Sequence, residues 1–115
     1  MSGNLEGTRR ERFLKTLSEN RRIAILCLLE GAPAYTMNDD TLYRGLAYSA
    51  QPGTLDQVRA DMAWLSEQGV VRLRYPDDIL DARAGLMAAT LTARGADIAK
   101  GMATMPGIAR PSPDL

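Results

Sequence analysis

One stretch of the chain, GTLDQVRADMAWLSEQGVVRL from Gly53 to Leu73, restricts the fold more than any other. Leu55, Val58, Met62 and Leu65 recur every three or four residues, so a helix there carries a single apolar stripe on its inward face. Thr54 can cap the free N–H groups of the first turn while Gln57, three residues on, reaches back to Thr54; Gly69 supplies a left-handed residue to end the helix. The period then changes to two. Val71, Leu73 and Tyr75 fall on one face and Arg72 and Arg74 on the other, the pattern of a half-buried strand. A capped helix, a glycine stop and a strand in direct succession imply a helix packed beside a sheet edge.

The spacing V-x-x-x-M-x-x-L-x-x-x-G-V-V, from Val58 to Val71, resembles the recognition-helix-to-wing segment of bacterial winged-helix regulators. The expected fold class is therefore mainly α with a small β-hairpin wing, a winged helix-turn-helix. The rest of the chain is read in that frame. Residues 1–7 are small and polar and are expected to be a flexible N-terminus. A first helix is expected from about Thr8, preferably unbroken at Ser18-Glu19-Asn20, and closed by Gly31 as C-terminal cap with Pro33 blocking continuation.

Around Ile23–Leu29 that helix is apolar on all sides and needs covering all round, by its own domain or by a second copy. Leu14, Leu17, Ile25 and Leu28 are the candidate homodimer seam, with plain core packing as the competing reading. Tyr35-Thr36-Met37 stands where a minimal first strand belongs. Asn38 should cap a second helix with Asp39 and Asp40 in its first turn, Leu42 and Leu46 inward and Arg44 outward. Ala50-Gln51-Pro52-Gly53 is turn chemistry, with Gly53 permitting the reversal. Beyond the first wing strand, residues 76–85 form a long wing loop and Leu86–Leu91 the returning strand. Thr92 caps a last helix through Lys100, ended by Gly101. The winged-helix domain thus spans 8–101. Residues 102–115 hold three of the six prolines and should form an extended Pro-rich tail, either disordered or docked through Met105 and Ile108.

At 115 residues the chain is one domain. Its longest apolar run, Ile23–Leu29, is too short to span a bilayer, and the N-terminus lacks a signal-peptide layout, so no membrane association and a cytoplasmic location are expected. There is one cysteine and no histidine. This removes most nucleophile–base pairs and transition-metal sites; no catalysis and no cofactor are expected, and Cys27 is read as a buried, inert thiol. Formal net charge is zero, which does not favour a nucleic-acid binder. The distribution is uneven, however. Arg9, Arg10, Arg12, Lys15, Arg21 and Arg22 face only Glu6, Glu11 and Glu19, a net +3 over residues 1–22.

A recognition helix offers its outward N-terminal half to the major groove, here Thr54, Asp56, Gln57, Arg59, Ala60 and Ala63. Arg59 could contact guanine or phosphate, Gln57 adenine, and Thr54 with the helix N-terminus a phosphate; Arg44, Arg72 and Arg74 could bind the backbone. Competing readings stand beside these. Gln57 can be consumed by its capping box and Arg59 by Asp56, three residues back. Asp56 and Asp61 on the same helix, and Asp77, Asp78 and Asp81 at the wing tip despite Arg83, would repel a duplex. Trp64 is read as a core-edge aromatic before a ligand-stacking one. Duplex DNA is the expected partner, and a host or phage protein is the alternative.

The succession RRIAILCLLEGAPAYTMND, LDQVRADMAWLSEQGVV, ATLTARGADIAKG and MPGIARPSP resembles short winged-helix proteins of Mu-like transposable phages and prophages, often labelled ArsR-type regulators. The resemblance covers about residues 10–113; its most specific parts are the D-x-x-W-L-x-x-x-G core and the PGxxRPSP tail. It implies a phage-encoded transcriptional regulator. Metal-sensing ArsR proteins use cysteine and histidine ligands that this chain does not have, so sensing by that route is not expected.

Overall fold

The structure is a computed structural model that describes residues 2–51, 53–75 and 87–112, with side chains from residue 7 onward. Helix α1 (Ser2–Glu30) is one unbroken helix, and it begins at Ser2 instead of Thr8. Gly31 does not end it by a left-handed turn. The reversal falls on Ala34 (φ 53°) and Tyr35 (φ 55°), in a 3-10 turn over Pro33–Tyr35. Strand β1 (Thr36–Asn38) follows, then α2 (Asp39–Tyr48), capped as its sequence requires by Asn38, whose side-chain oxygen accepts from Thr41 N at 2.8 Å.

Helix α3 (Leu55–Glu67) carries the complete capping box. Gln57 N donates to Thr54 Oγ1 at 3.1 Å, and Thr54 N donates to Gln57 Oε1 at 2.9 Å. Gly69, at φ 75°, turns the chain into β2 (Val71–Arg74). Strand β3 (Ala88–Leu91) and helix α4 (Ala93–Ala99), capped by Thr92, complete the chain of elements. Residues 76–86, which hold the expected wing loop and the expected start of the returning strand, lie outside the described residues.

The three strands form an antiparallel sheet in the order β1-β3-β2, one strand more than a hairpin. Its register sorts the residues by face. Met37, Ala89 and Leu73 form an inward row, while Thr36, Thr90 and Arg72 form an outward one, in which the two threonine hydroxyls bond at 2.8 Å. The domain is mainly helical with a small three-stranded sheet.

The core is where the helical stripes meet: Ile25, Leu26 and Leu29 from α1, Leu42 and Leu46 from α2, Val58, Met62 and Leu65 from α3, with Val71 and Ala89 from the sheet. Ile25 is wholly buried there, which removes it from the dimer seam: a single chain already covers it. Leu28 also faces inward. It packs on α2 so closely that a Cβ at Gly45 would stand 2.9 Å from its Cδ1. Of the expected seam, Leu14 is exposed, and Leu17, half-buried like Leu28, lies beside the open tip of α3.

Residues 102–112 pack onto the body, as the docked reading of the tail requires. Met105 and Ile108 join the core, and Ala109 N donates to the carbonyl of Glu19 at 3.2 Å. Arg22 lies over the Trp64 ring, 4.0 Å from its centroid, and donates to the Gly107 carbonyl at 3.0 Å. Gly107 has φ 91°, and a Cβ there would lie 2.6 Å from Trp64 Cη2. Gly107→Ala should therefore cost about 1–3 kcal/mol in urea unfolding and shift the emission of Trp64 to the red as the tail lifts, with helical circular dichroism unchanged.

Candidate nucleic-acid interface

Two buried carboxylates decide which cations this protein can offer a partner. Asp61 lies on the inward stripe of α3, between Val58 and Leu65, and is 3% exposed. Its two oxygens accept from Arg21 Nε at 2.7 Å and from Arg22 Nε at 3.1 Å, so both arginines at the middle of α1 are engaged inside the domain. Asp61 therefore does not repel anything outside; it draws α1 onto α3. Asp39, at the start of α2, is fully buried and accepts from Arg59 Nε at 2.8 Å.

The position of Arg59 follows from this pairing. The sequence offers Asp56 as its partner, but that carboxylate is 4.0 Å away and exposed, whereas Asp39 is desolvated. An uncompensated buried carboxylate costs several kcal/mol, so the guanidinium is held against Asp39 and is only partly accessible. As a base-reading residue Arg59 is corrected: it ties α2 to α3. Gln57 is likewise engaged, through its Oε1, in the capping box, and its amide nitrogen alone is left for a partner. Thr54 is exposed at the tip of α3, its hydroxyl oxygen already accepting from Gln57 N.

The remaining candidates are open. Arg44 pairs with Asp40 at 3.1 Å across one exposed helical turn, a pairing weak enough to exchange for a phosphate. Arg72 and Arg74 point out of β2, opposite Val71 and Leu73, and among the described residues neither makes an ion pair. Arg9, Arg10, Arg12 and Lys15 are exposed on the first half of α1. The outward face of α3, by contrast, carries Asp56, Ala60 and Glu67. Among the described residues, accessible positive charge therefore sits on the first half of α1, on Arg44, on β2 and on Arg94, Lys100 and Arg110, while the tip of α3 offers N–H groups and little charge.

Both clamps leave a signal in the sequence. Asp61 occupies the i+3 position from Val58, within the stripe Val58, Met62, Leu65, and Asp39 precedes Leu42 by the same interval. Cys27 is half-buried beside Ala99, and burial, with Glu30 nearby, pushes its thiol above the ordinary range. Among the described residues no cluster of three cysteine, aspartate or glutamate side chains could hold a metal ion, and no helix is long and apolar enough to cross a membrane.

These features define a small α+β domain braced by internal ion pairs, with an exposed helix tip and exposed cations on several elements. The chain is 33% identical over 97 residues to the protein described as "Uncharacterized protein gp26" of Escherichia phage Mu, the match covering 84% of this chain and 93% of the phage protein. The chain belongs to that phage protein's family. No protein-family model and no solved structure matches it.

Removing each kind of arginine should separate brace from surface. Arg59→Ala leaves Asp39 buried without its cation and should destabilise by about 3–5 kcal/mol in urea unfolding. Arg72→Ala and Arg74→Ala should each stay within about 0.5 kcal/mol of the parent.

Proposed function

We propose that this protein is a winged helix-turn-helix that binds duplex DNA as a homodimer in the cytoplasm and regulates phage transcription. The observation that carries the reading is the succession of elements. A helix pair, α2 and α3, is joined by a short turn; α3 ends at Gly69 and runs directly into β2, and the sheet order β1-β3-β2 places β3 between the other strands. The N-terminal turn of α3 then approaches a duplex, with Thr54 and the helix N-terminus at a phosphate and Gln57 at a base edge. Arg72 and Arg74 on β2, Arg44 on α2, and Arg9, Arg10 and Arg12 on α1 supply the electrostatics, doubled by a second copy. In this reading the protein acts by binding and not by catalysis, supported by a chain with no histidine and one cysteine.

One observation favours a second reading, an adaptor or host-takeover factor that binds a protein and no nucleic acid. With Arg59 held by Asp39, the outward face of α3 has no freely presented cation, and Asp56 and Glu67 would meet the phosphates.

Anisotropy titration of labelled duplexes from phage promoter regions distinguishes the two. Under the DNA reading affinity falls steeply with salt, and Arg72→Ala with Arg74→Ala lowers the slope of log K against log salt by about 0.9 for each phosphate no longer neutralised. Absence of binding at about 50 mM salt, or a slope indifferent to both substitutions, selects the adaptor.

A further inference from the structure

Helix α1 is 29 residues long, roughly 43 Å at 1.5 Å per residue, and its first half leaves the body. Every residue from Gly7 to Thr16 is exposed, and the molecule is correspondingly long, 52 Å against 35 and 26 Å in the other directions. The ten exposed residues Gly7–Thr16 fall short of the roughly 12–15 at which an isolated helix becomes marginal in water, so helicity there calls for a covering surface. The arm also carries apolar side chains that the body does not use. Phe13 is 62% exposed and Leu14 54%, with Leu17 completing the patch one turn on.

Where the arm overhangs the tip of α3 there is an open groove of about 490 Å³, lined by Leu14, Leu17, Ser18, Arg21, Gly53, Thr54 and Gln57. Arg21 packs against Gly53 on one side of it, so near that a Cβ there would lie 2.7 Å from its Cδ. Phe13 cannot fill this groove in its own chain: it points about 100° round the helix from Leu14, which forms the wall.

We infer that the arm of a second copy occupies the groove, its Phe13 seated between Leu14, Leu17 and Gly53, and that the two copies exchange arms reciprocally. Two observations select a second copy as occupant. The arm is basic, with Arg9, Arg10, Arg12 and Lys15 exposed against Glu11, while Arg21, the one charged residue of the lining, is compensated by Asp61, and Asp56, next to the lining residue Gln57, is 96% exposed at the rim. Opposite charges thus meet when an arm enters. The knob and the hole also lie within about one turn of each other on α1, so a two-fold axis near Leu14 brings each Phe13 to the other's groove and closes the assembly at two. The inference takes from the proposed function the presence of two copies, and nothing from its DNA contacts.

The test uses the full chain. Light scattering across roughly 1 to 100 µM should give a dimer mass for the parent and a monomer mass for Phe13→Glu, the variant still unfolding cooperatively at a midpoint independent of concentration, because position 13 is exposed and only the mass-action stabilisation of the dimer is lost. A benzophenone side chain placed at position 13 should cross-link to residues 53–57 of an isotope-labelled second copy. A monomeric parent at the highest concentration, an undiminished dimer for Phe13→Glu, or cross-links that avoid 53–57 of the labelled copy would each overturn the proposal. Duplex affinity measured on the monomeric variant reads the DNA contacts separately: unchanged affinity removes doubling from the function proposed above and leaves the groove assignment intact.

Discussion

A carboxylate taken out of water dictates how this domain is assembled. Asp61 sits among core side chains and is tolerated there because two guanidinium groups from adjacent residues of α1 reach both of its oxygens. The ion pair acts between residues 40 apart in sequence, so it sets the position of α1 on α3, which apolar stripes alone would leave free to slide or rotate. The same chemistry recurs at Asp39, which fixes α2 to α3 through Arg59. Three helices are thus oriented by two buried anions, and α3 contributes to both clamps.

The clamps reach further than the helices. Arg22, fixed at one end of its guanidinium by Asp61, presents its face to Trp64 and another N–H to Gly107, and in this way holds the tail across α1 and α3. Met105 and Ile108 then close the core at that end, so the segment after α4 is structural although it has no regular secondary structure. The electrostatic consequence is equally direct. Three arginines that the sequence counts toward a basic surface are committed inside the molecule, and the α1 arm, Arg44 and β2 are left as the accessible cations among the candidate contacts.

Much of this was legible in the sequence wherever the signal was local. The capping box at Thr54 and Gln57, the Asn38 and Thr92 caps, the Gly69 stop and the alternation of Val71 to Arg74 each depend on residues a few positions apart, and each forms as read. What escaped was non-local. Asp39 and Asp61 look like helix-surface acids until their partners 20 and 40 residues away are known. Ile25 looks available to a second copy until α2, α3 and the sheet are seen to enclose it. The reversal after α1 misled for another reason. Gly31 and Pro33 are strong punctuation, yet the left-handed residues are Ala34 and Tyr35, and no sequence rule favours those types at positive φ.

The candidate interface was legible in position more than in chemistry. The tip of α3 is where the pattern puts it, and Arg72 and Arg74 face outward from β2, but the helix-borne arginine that seemed the natural base reader serves the fold. The central claim, that a buried anion shared by two arginines sets the helix arrangement, is tested most directly by a double-mutant cycle on Arg21→Ala and Asp61→Ala followed by urea unfolding. The account predicts a loss of about 3–5 kcal/mol for Asp61→Ala and a coupling of about 2 kcal/mol between the two positions. Two substitutions that add to within about 0.5 kcal/mol, with Asp61→Ala near neutral, would contradict it.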